Sequence, residues 1–399
     1  MPLAIRNATI YPSPDVPPIE RGTVVVREGR IVAVGPEEPI PAGAVVVPGE
    51  GRAVTAGFWN AHVHFTEAKW RAAKRGSPTV LNGMLRDMLT SRGFTTVVDT
   101  GSDPRVTFPL RRRIESWELL GPKVYTSGTG IYPPRGIPYY LRNDLPFWLR
   151  GFVPQPSTPE AAARTAERTI ARGADLLKLF TGSYVARGKV TPMPEPIARA
   201  AVRVAHAHGR LVYSHPSNLE GTRVAIRSGV DVLAHPPDTT AGIDVSVLRE
   251  MVDRRMAIVP TLKMFADTVS RDPEYLDPIY RVVREFRALG GQLLFGTDVG
   301  YMADYATEDE FRALARAGVD ARGVLRMLTT APAERFGVGE AAGSIAVGRA
   351  ADLVLLDGDP MSDLLAFARV CVTVRTGRVL YLRPEPESRN PAVALHPYR

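Results

Sequence analysis

Eight apolar runs of five to seven residues, each spaced to leave room for a helix before the next, set the tightest limit on what this chain can fold into. They are Trp59 to Phe65, Thr95 to Asp99, Lys123 to Ser127, Leu176 to Phe180, Leu211 to His215, Val230 to His235, Ala257 to Thr261 and Leu293 to Asp298. Between them the apolar spacing changes to the helical period over Pro159 to Arg172, Pro196 to His208, Asp244 to Arg255 and Pro273 to Leu289. Such alternation marks parallel strands joined by crossover helices. The expected fold is α/β, a (β/α)8 TIM-type barrel. An open doubly wound sheet competes, but no glycine-rich phosphate loop follows the first strand, which lowers that option.

Both ends of the chain read differently. Short strands with turns cover Ala4 to Tyr11, Gly22 to Arg27, Arg30 to Gly35 and Ala44 to Pro48, with Glu28-Gly29 as a hairpin turn. The same style returns at Gly343-Ser344-Ile345, Ala351 to Leu356, Val370 to Arg375 and Arg378 to Tyr381. We expect one small β-sandwich domain assembled from residues 1–54 and 343–399, around a barrel spanning 55–342. The Pro-rich tail after Pro384 reads as extended and loosely held.

Composition narrows the partners. A chain of 399 residues that is 45% hydrophobic buries a large core, and no apolar run reaches membrane-spanning length, so no membrane partner is expected. The net charge of +8 is scattered among acidic residues, which argues against nucleic acid. The single cysteine, Cys371, excludes an intramolecular disulfide and fits a reducing compartment, so a cytoplasmic location is expected. Assembly as a homo-oligomer stays open.

Chemistry collects at the strand ends, which form the functional face of a parallel barrel. His62 and His64 are two residues apart on the first strand, where alternate side chains share a face. Lys178 lies in strand four, and His215, His235 and Asp298 end strands five, six and eight. A core histidine satisfied by a neighbour explains any one of these, but not four together with an aspartate. His206-Ala207-His208 lies near a helix end, where i and i+2 diverge, and reads as capping or surface. Lysine occurs at only six positions in this arginine-rich chain, and an amine buried in strand four is costly. An ion pair inside the barrel is one solution. A carbamate of Lys178 is the other, an anionic bidentate ligand able to bridge two metals.

Gly29-Arg30-Ile31-Val32-Ala33-Val34-Gly35, Gly57-Phe58-Trp59-Asn60-Ala61-His62-Val63-His64, Gly296-Thr297-Asp298, Leu328-Thr329-Thr330-Ala331-Pro332-Ala333 and the run from Gly343 to Val354 extend the pattern across most of the chain. Together they resemble the amidohydrolase superfamily, specifically its imidazolonepropionase-like and Xaa-Pro dipeptidase-like branch. The resemblance implies a binuclear centre with His62, His64 and Asp298 on one metal, His215 and His235 on the other, and carboxylated Lys178 between them. Zinc is the commonest occupant of similar enzymes, although the ligands do not select it strictly. It implies hydrolysis of an amide (C–N) bond in a small-molecule substrate, a dipeptide or an N-acyl amino acid. A hydroxide held between the metals is then the nucleophile and Asp298 the general base and acid.

Departures from the family pattern bear on the substrate. Asn218 stands where deaminases and imidazolonepropionases carry a Glu, which disfavours a mononuclear enzyme of either kind. The segment from Ser127 to Gly136 lacks the substrate-contacting histidine of the dipeptidase-like enzymes. An esterase or lactonase on the same site, and a catalytically silent scaffold on the same fold, are the competing functions. The loop from Gly130 to Pro156 is rich in aromatics and arginines, among them Phe147 and Trp148. We read it as a cover in which Tyr132 and Arg135, with Tyr184 after strand four, bind substrate, an arginine fork meeting a carboxylate.

Overall fold

The computed structural model describes residues 2–144, 150–151 and 153–384. The tail beyond Pro384, with His396, and the loop residues Phe147 and Trp148 lie outside the described residues.

The N-terminal stretch forms β1 (Leu3–Ile10), β2 (Ile19–Arg27), β3 (Arg30–Gly35), β4 (Val45–Pro48) and β5 (Arg52–Ala56). At the β2–β3 hairpin Arg27 faces Arg30, and Glu28 and Gly29 have φ of 53° and 78°, as a type I′ turn requires. Next come β6 (Phe58–Val63), β7 (Phe94–Asp99), β8 (Lys123–Thr126) and β9 (Leu176–Phe180). A hairpin of β10 (Gly182–Ala186) and β11 (Lys189–Pro192) precedes β12 (Leu211–His215), β13 (Val232–Leu233), β14 (Ala257–Ile258) and β15 (Gln292–Leu293). The chain returns to its first sheet through β16 (Leu353–Asp357), β17 (Val370–Arg375) and β18 (Arg378–Leu382).

All eight strands expected in the middle of the chain are present and parallel, in arcs β6-β7-β8 and β15-β14-β13-β12-β9. The ladder is not one continuous closed sheet. The arcs meet through single bridges, Ile131 with Leu179 and Val63 with Val299, and through Ala61 N–H donating to the Phe295 carbonyl at 2.7 Å. Helices Pro159–Ala171, Glu195–Ala207, Val245–Asp253 and Pro273–Ala288 follow the sequence expectation to within two residues at each end. Their buried faces join one large core with the outward side chains of the strands, while Ala61, Val98, Leu176, Tyr213, Val232 and Val259 belong to a separate cluster.

The terminal strands differ from a two-layer sandwich in their hydrogen bonding. They form one eight-stranded sheet in the order β18-β17-β16-β5-β1-β2-β3, with β4 beside β1, over a core that includes Ile5, Val24, Val54, Leu353 and Val372. Strand β5 divides the apolar run that leads to His62: Thr55 and Ala56 pair with Val354 and Leu353, and β6 starts after Gly57. A Cβ on Gly57 would lie 2.2 Å from Thr95 Oγ1, so only glycine lets the chain cross between sheets here. Gly343-Ser344-Ile345 is not a strand. Gly343 has φ 83°, and Ile345 instead buries its side chain in the terminal core and donates its N–H to the Pro12 carbonyl. Among the described residues no helix is long and apolar enough to cross a membrane.

Candidate metal centre

Parallel register carries the chemistry to one end of the strands. His215 pairs with Phe180, and Ser214 with Leu233, Leu233 with Ile258 and Ile258 with Leu293 follow at one level, so His235 and Asp298 emerge just beyond the ladder. Strand β6 ends beside Asp99 of β7, which pairs with Thr126 of β8. The Nε2 atoms of His62 and His64 lie 3.3 Å apart. Asp298 Oδ1 is 3.3 Å from the first and 3.0 Å from the second, and its Oδ2 is 3.8 Å from His235 Nε2. Ring centroids of His62 and His235 are 4.6 Å apart, and those of His235 and His215 4.9 Å. Lys178 is 2% exposed, and its charge acts on His62, His215 and His235. The six residues expected from the sequence therefore share one site, although among the described residues only His62, His64 and Asp298 form a tight three-donor group, within 4.8 Å.

Neighbouring groups decide which imidazole nitrogen is free to ligate. His64 Nδ1 lies 2.7 Å from the Gly101 carbonyl, which can only accept, so that nitrogen carries the proton and Nε2 keeps its lone pair. His235 Nδ1 is 2.6 Å from Thr261 Oγ1, whose own proton goes to the Pro260 carbonyl at 2.8 Å; the hydroxyl therefore accepts from His235 as well. Asp99 holds the loop that supplies Gly101: it accepts from Ser102 Oγ at 2.5 Å, Thr126 Oγ1 at 2.6 Å and Gly101 N–H at 3.3 Å. Asn60 joins the first and last strands, accepting from the N–H groups of His62 and Thr297, both at 3.2 Å, and donating to Thr297 Oγ1 at 2.6 Å. Asp298 itself has φ 58°, unusual for a non-glycine residue, and its N–H donates to the His62 carbonyl at 2.9 Å. Gly300 is needed beside it, since a Cβ there would strike the His64 carbonyl.

The electrostatics suit a cation. Burial, reinforced by Lys178 and the neighbouring rings, holds His62 and His235 well below the usual histidine value, and burial with Lys178 brings His215 down to about 3. Burial also acts on His64 most strongly, but the hydrogen bond and charge of Asp298, with the charge of Asp99, reverse the net shift upward. Burial lowers the Lys178 amine to about 7 against the pull of Asp298. Asp298 Oδ1 is buried and, beyond its histidine contacts, receives no hydrogen bond among the described residues; His62 Nδ1 is likewise unpartnered. Three imidazoles held neutral, with the Nδ1 atoms of His64 and His235 committed to neighbours, around a buried carboxylate fit a divalent metal.

The remaining candidates divide. Tyr132 is buried and stacks on Phe180 at 4.4 Å, and Phe180 stacks on His215 at 5.2 Å, so Tyr132 backs the wall of the site. Arg135 is exposed in the turn that Gly136 N–H closes onto the Pro133 carbonyl. Tyr184 lies on the β10–β11 hairpin, which the sequence reading missed, and its hydroxyl is 3.0 Å from both Asp238 oxygens. Asn218 accepts from Gly221 N–H at 2.9 Å and caps helix Leu219–Ser228, a structural task remote from proton transfer. His206 and His208 meet Asp231 and Glu167 at 3.0 Å and 2.9 Å on the surface, as expected. Asn60, Asp99 and Thr261 were not anticipated; Asp99 obeys the strand-end rule that gave the others.

The sequence pattern of the amidohydrolase family matches residues 53–380. An uncharacterized protein of Mycobacterium tuberculosis is 28% identical over 184 residues, 42% of this chain and 47% of the relative, so the chain spans about half the length of the curated relatives it matches. A prolidase structure complexed with N-methylphosphonate-L-proline superposes with a TM-score of 0.78 at 24% identity, covering 96% of this chain and 100% of that one. A Bifidobacterium longum protein assigned as a prolidase superposes with a TM-score of 0.76 at 26% identity, covering 97% and 96%.

Proposed function

Because the chain belongs to the amidohydrolase family, we propose that it is a metal-dependent hydrolase that cleaves a carbon–nitrogen bond in a small substrate, a dipeptide or an N-acyl amino acid. The observation that carries this reading is the set of imidazoles around Asp298, two of them with Nδ1 committed to Gly101 and Thr261 so that Nε2 faces the centre. In this reading His62, His64 and Asp298 would hold one ion and His215 and His235 the other, with Lys178, as its carbamate, supplying an anionic ligand to both. The uncharged amine is the form that adds to carbon dioxide, forming an N–C bond and releasing one proton. The same reading takes the two parallel arcs as one (β/α)8 barrel of residues 55–342, with the two chain ends as its accessory β domain.

Divalent ions, zinc being the expectation, supply Lewis acidity toward the scissile carbonyl and lower the pKa of water from about 15.7 toward 7. Asp298 takes the proton of the attacking water and delivers it to the departing nitrogen, and its contacts with His62, His64 and His235 keep one carboxylate within reach of both events. Tyr132 and Phe180 keep bulk water from the His215 side.

Elemental analysis of purified protein, paired with a hydrolysis screen over dipeptides, N-acyl amino acids and lactones, tests the proposal. Two metals per chain and amide cleavage are expected. Metal-loaded protein inert toward all amides would overturn it, and lactone hydrolysis alone would make it an esterase. Lys178→Ala should lose one metal equivalent; retention of both metals and full activity would remove the bridge.

A further inference from the structure

Asp238 lies three residues past His235, beyond the end of β13, with its side chain partly exposed. Its oxygens accept from the Tyr184 hydroxyl at 3.0 Å, and Oδ2 also accepts from the Tyr275 hydroxyl at 3.4 Å. The other donors described around it are its own N–H and that of Thr239. All of these are uncharged, so among the described residues no cation pairs with the carboxylate; burial raises its pKa, and the hydrogen bonds from the two phenols and the backbone oppose that rise. Tyr275 packs its ring on Phe265 at 6.5 Å, and Phe265 on His235 at 5.9 Å, which ties this group to the metal centre. The Tyr140 phenol is kept protonated by burial first and then by its neighbours, Asp298 and Asp238 among them, so one side chain senses both carboxylates.

We propose that Asp238, held by Tyr184 and Tyr275, is a specificity residue that binds a cationic group of the substrate, an ammonium or guanidinium. This rests on the hydrolase reading above and names its substrate class. Phenols that donate to Asp238 have no second proton for a substrate carboxylate, and a carboxylate placed there would meet like charge. Tyr184 therefore acts through Asp238. A cation gains a charge-assisted hydrogen bond at a half-buried carboxylate and, among the described residues, displaces no existing ion pair.

Two sources of that charge are separable: the α-ammonium of a free dipeptide, and the side chain of a lysine or arginine residue. kcat/KM is measured for metal-loaded enzyme on free and N-acetylated dipeptides, each with arginine or norleucine at the variable position. In Asp238→Asn the ratio of cationic to neutral substrate should fall about tenfold or more in the arm that carries the recognised charge, and Asp238→Glu should restore part of it. Tyr184→Phe, which keeps the charge but loosens it, should lower the ratio less. Unchanged ratios in both arms, to within about twofold, overturn the proposal. If the enzyme cleaves no amide, the hydrolase reading fails and the recognition is decided separately by calorimetry with L-argininamide, L-norleucinamide and N-acetyl-L-norleucinamide. Tighter binding of a charged probe that Asp238→Asn abolishes supports it; equal binding of all three, or a preference that survives the substitution, overturns it.

Discussion

Replacing Thr261 by alanine tests whether the hydroxyl behind His235 sets that ligand's proton. The His235 Nδ1 to Thr261 Oγ1 contact is 2.6 Å, in a residue only 4% exposed, and the hydroxyl's own proton is committed to Pro260. Without Oγ1 the Nδ1–H donor is left buried and unmet, at a cost of about 1–3 kcal/mol. The ring can escape by moving its proton to Nε2, which removes the lone pair that faces Asp298. Either outcome weakens metal binding, by about 10- to 100-fold on the scale of such supporting contacts. That corresponds to roughly 1.4–2.8 kcal/mol, inside the range of the lost hydrogen bond. Thr261 also sits at φ 45°, strained for a β-branched residue, so alanine relieves backbone strain and global unfolding is not expected to explain the loss. Competition with a chromophoric chelator gives the metal dissociation constant, and denaturant melts of the metal-free protein give the stability. Thr261→Ser, which restores the acceptor, should bind within a few-fold of the parent. Unchanged affinity in Thr261→Ala, or equal weakening in Thr261→Ser, would refute the argument.

Asp298→Asn should retain the fold and lose about 10²- to 10⁴-fold in kcat, measured at saturating metal, because the amide cannot carry the proton between water and leaving group. Glu310 offers a stability prediction with a definite sign. Burial raises its carboxyl from 4.5 to about 7, with Oε2 accepting from Lys263 N–H at 2.7 Å and Oε1 unpartnered. The folded state therefore keeps a proton that the unfolded chain releases, and the stability this confers is full below pH 4.5 and lost as pH rises through 7. The total is of the order of 3 kcal/mol, and Glu310→Gln should flatten the decline of Tm between pH 5 and pH 7.5; a variant that declines as steeply as the parent would show that other groups dominate.

Six proposed ligands were legible because each is a polar residue inside or at the end of an apolar run, and parallel register turns that one-dimensional rule into convergence in space. The rule stops at the ladder. Strands β13, β14 and β15 pair over only two residues each, although the apolar runs that announce them are five or six long. The unpaired remainder is where His235, Thr261 and Asp298 lie, two of them with positive φ. Leaving the sheet frees their backbones for conformations that aim side chains at the centre, and it removes the period on which a sequence reading depends. The same loss hid the β10–β11 hairpin, which begins only one residue after β9, and with it the contact that turns Tyr184 toward Asp238. Arg135 is exposed in its turn, while the charged group tied to His235 through Tyr275 and Phe265 is an acid. If Asp238 recognises the substrate as proposed, the choice of substrate charge lies beyond the last paired residue of β13, at a side chain that only the folded chain brings to Tyr184.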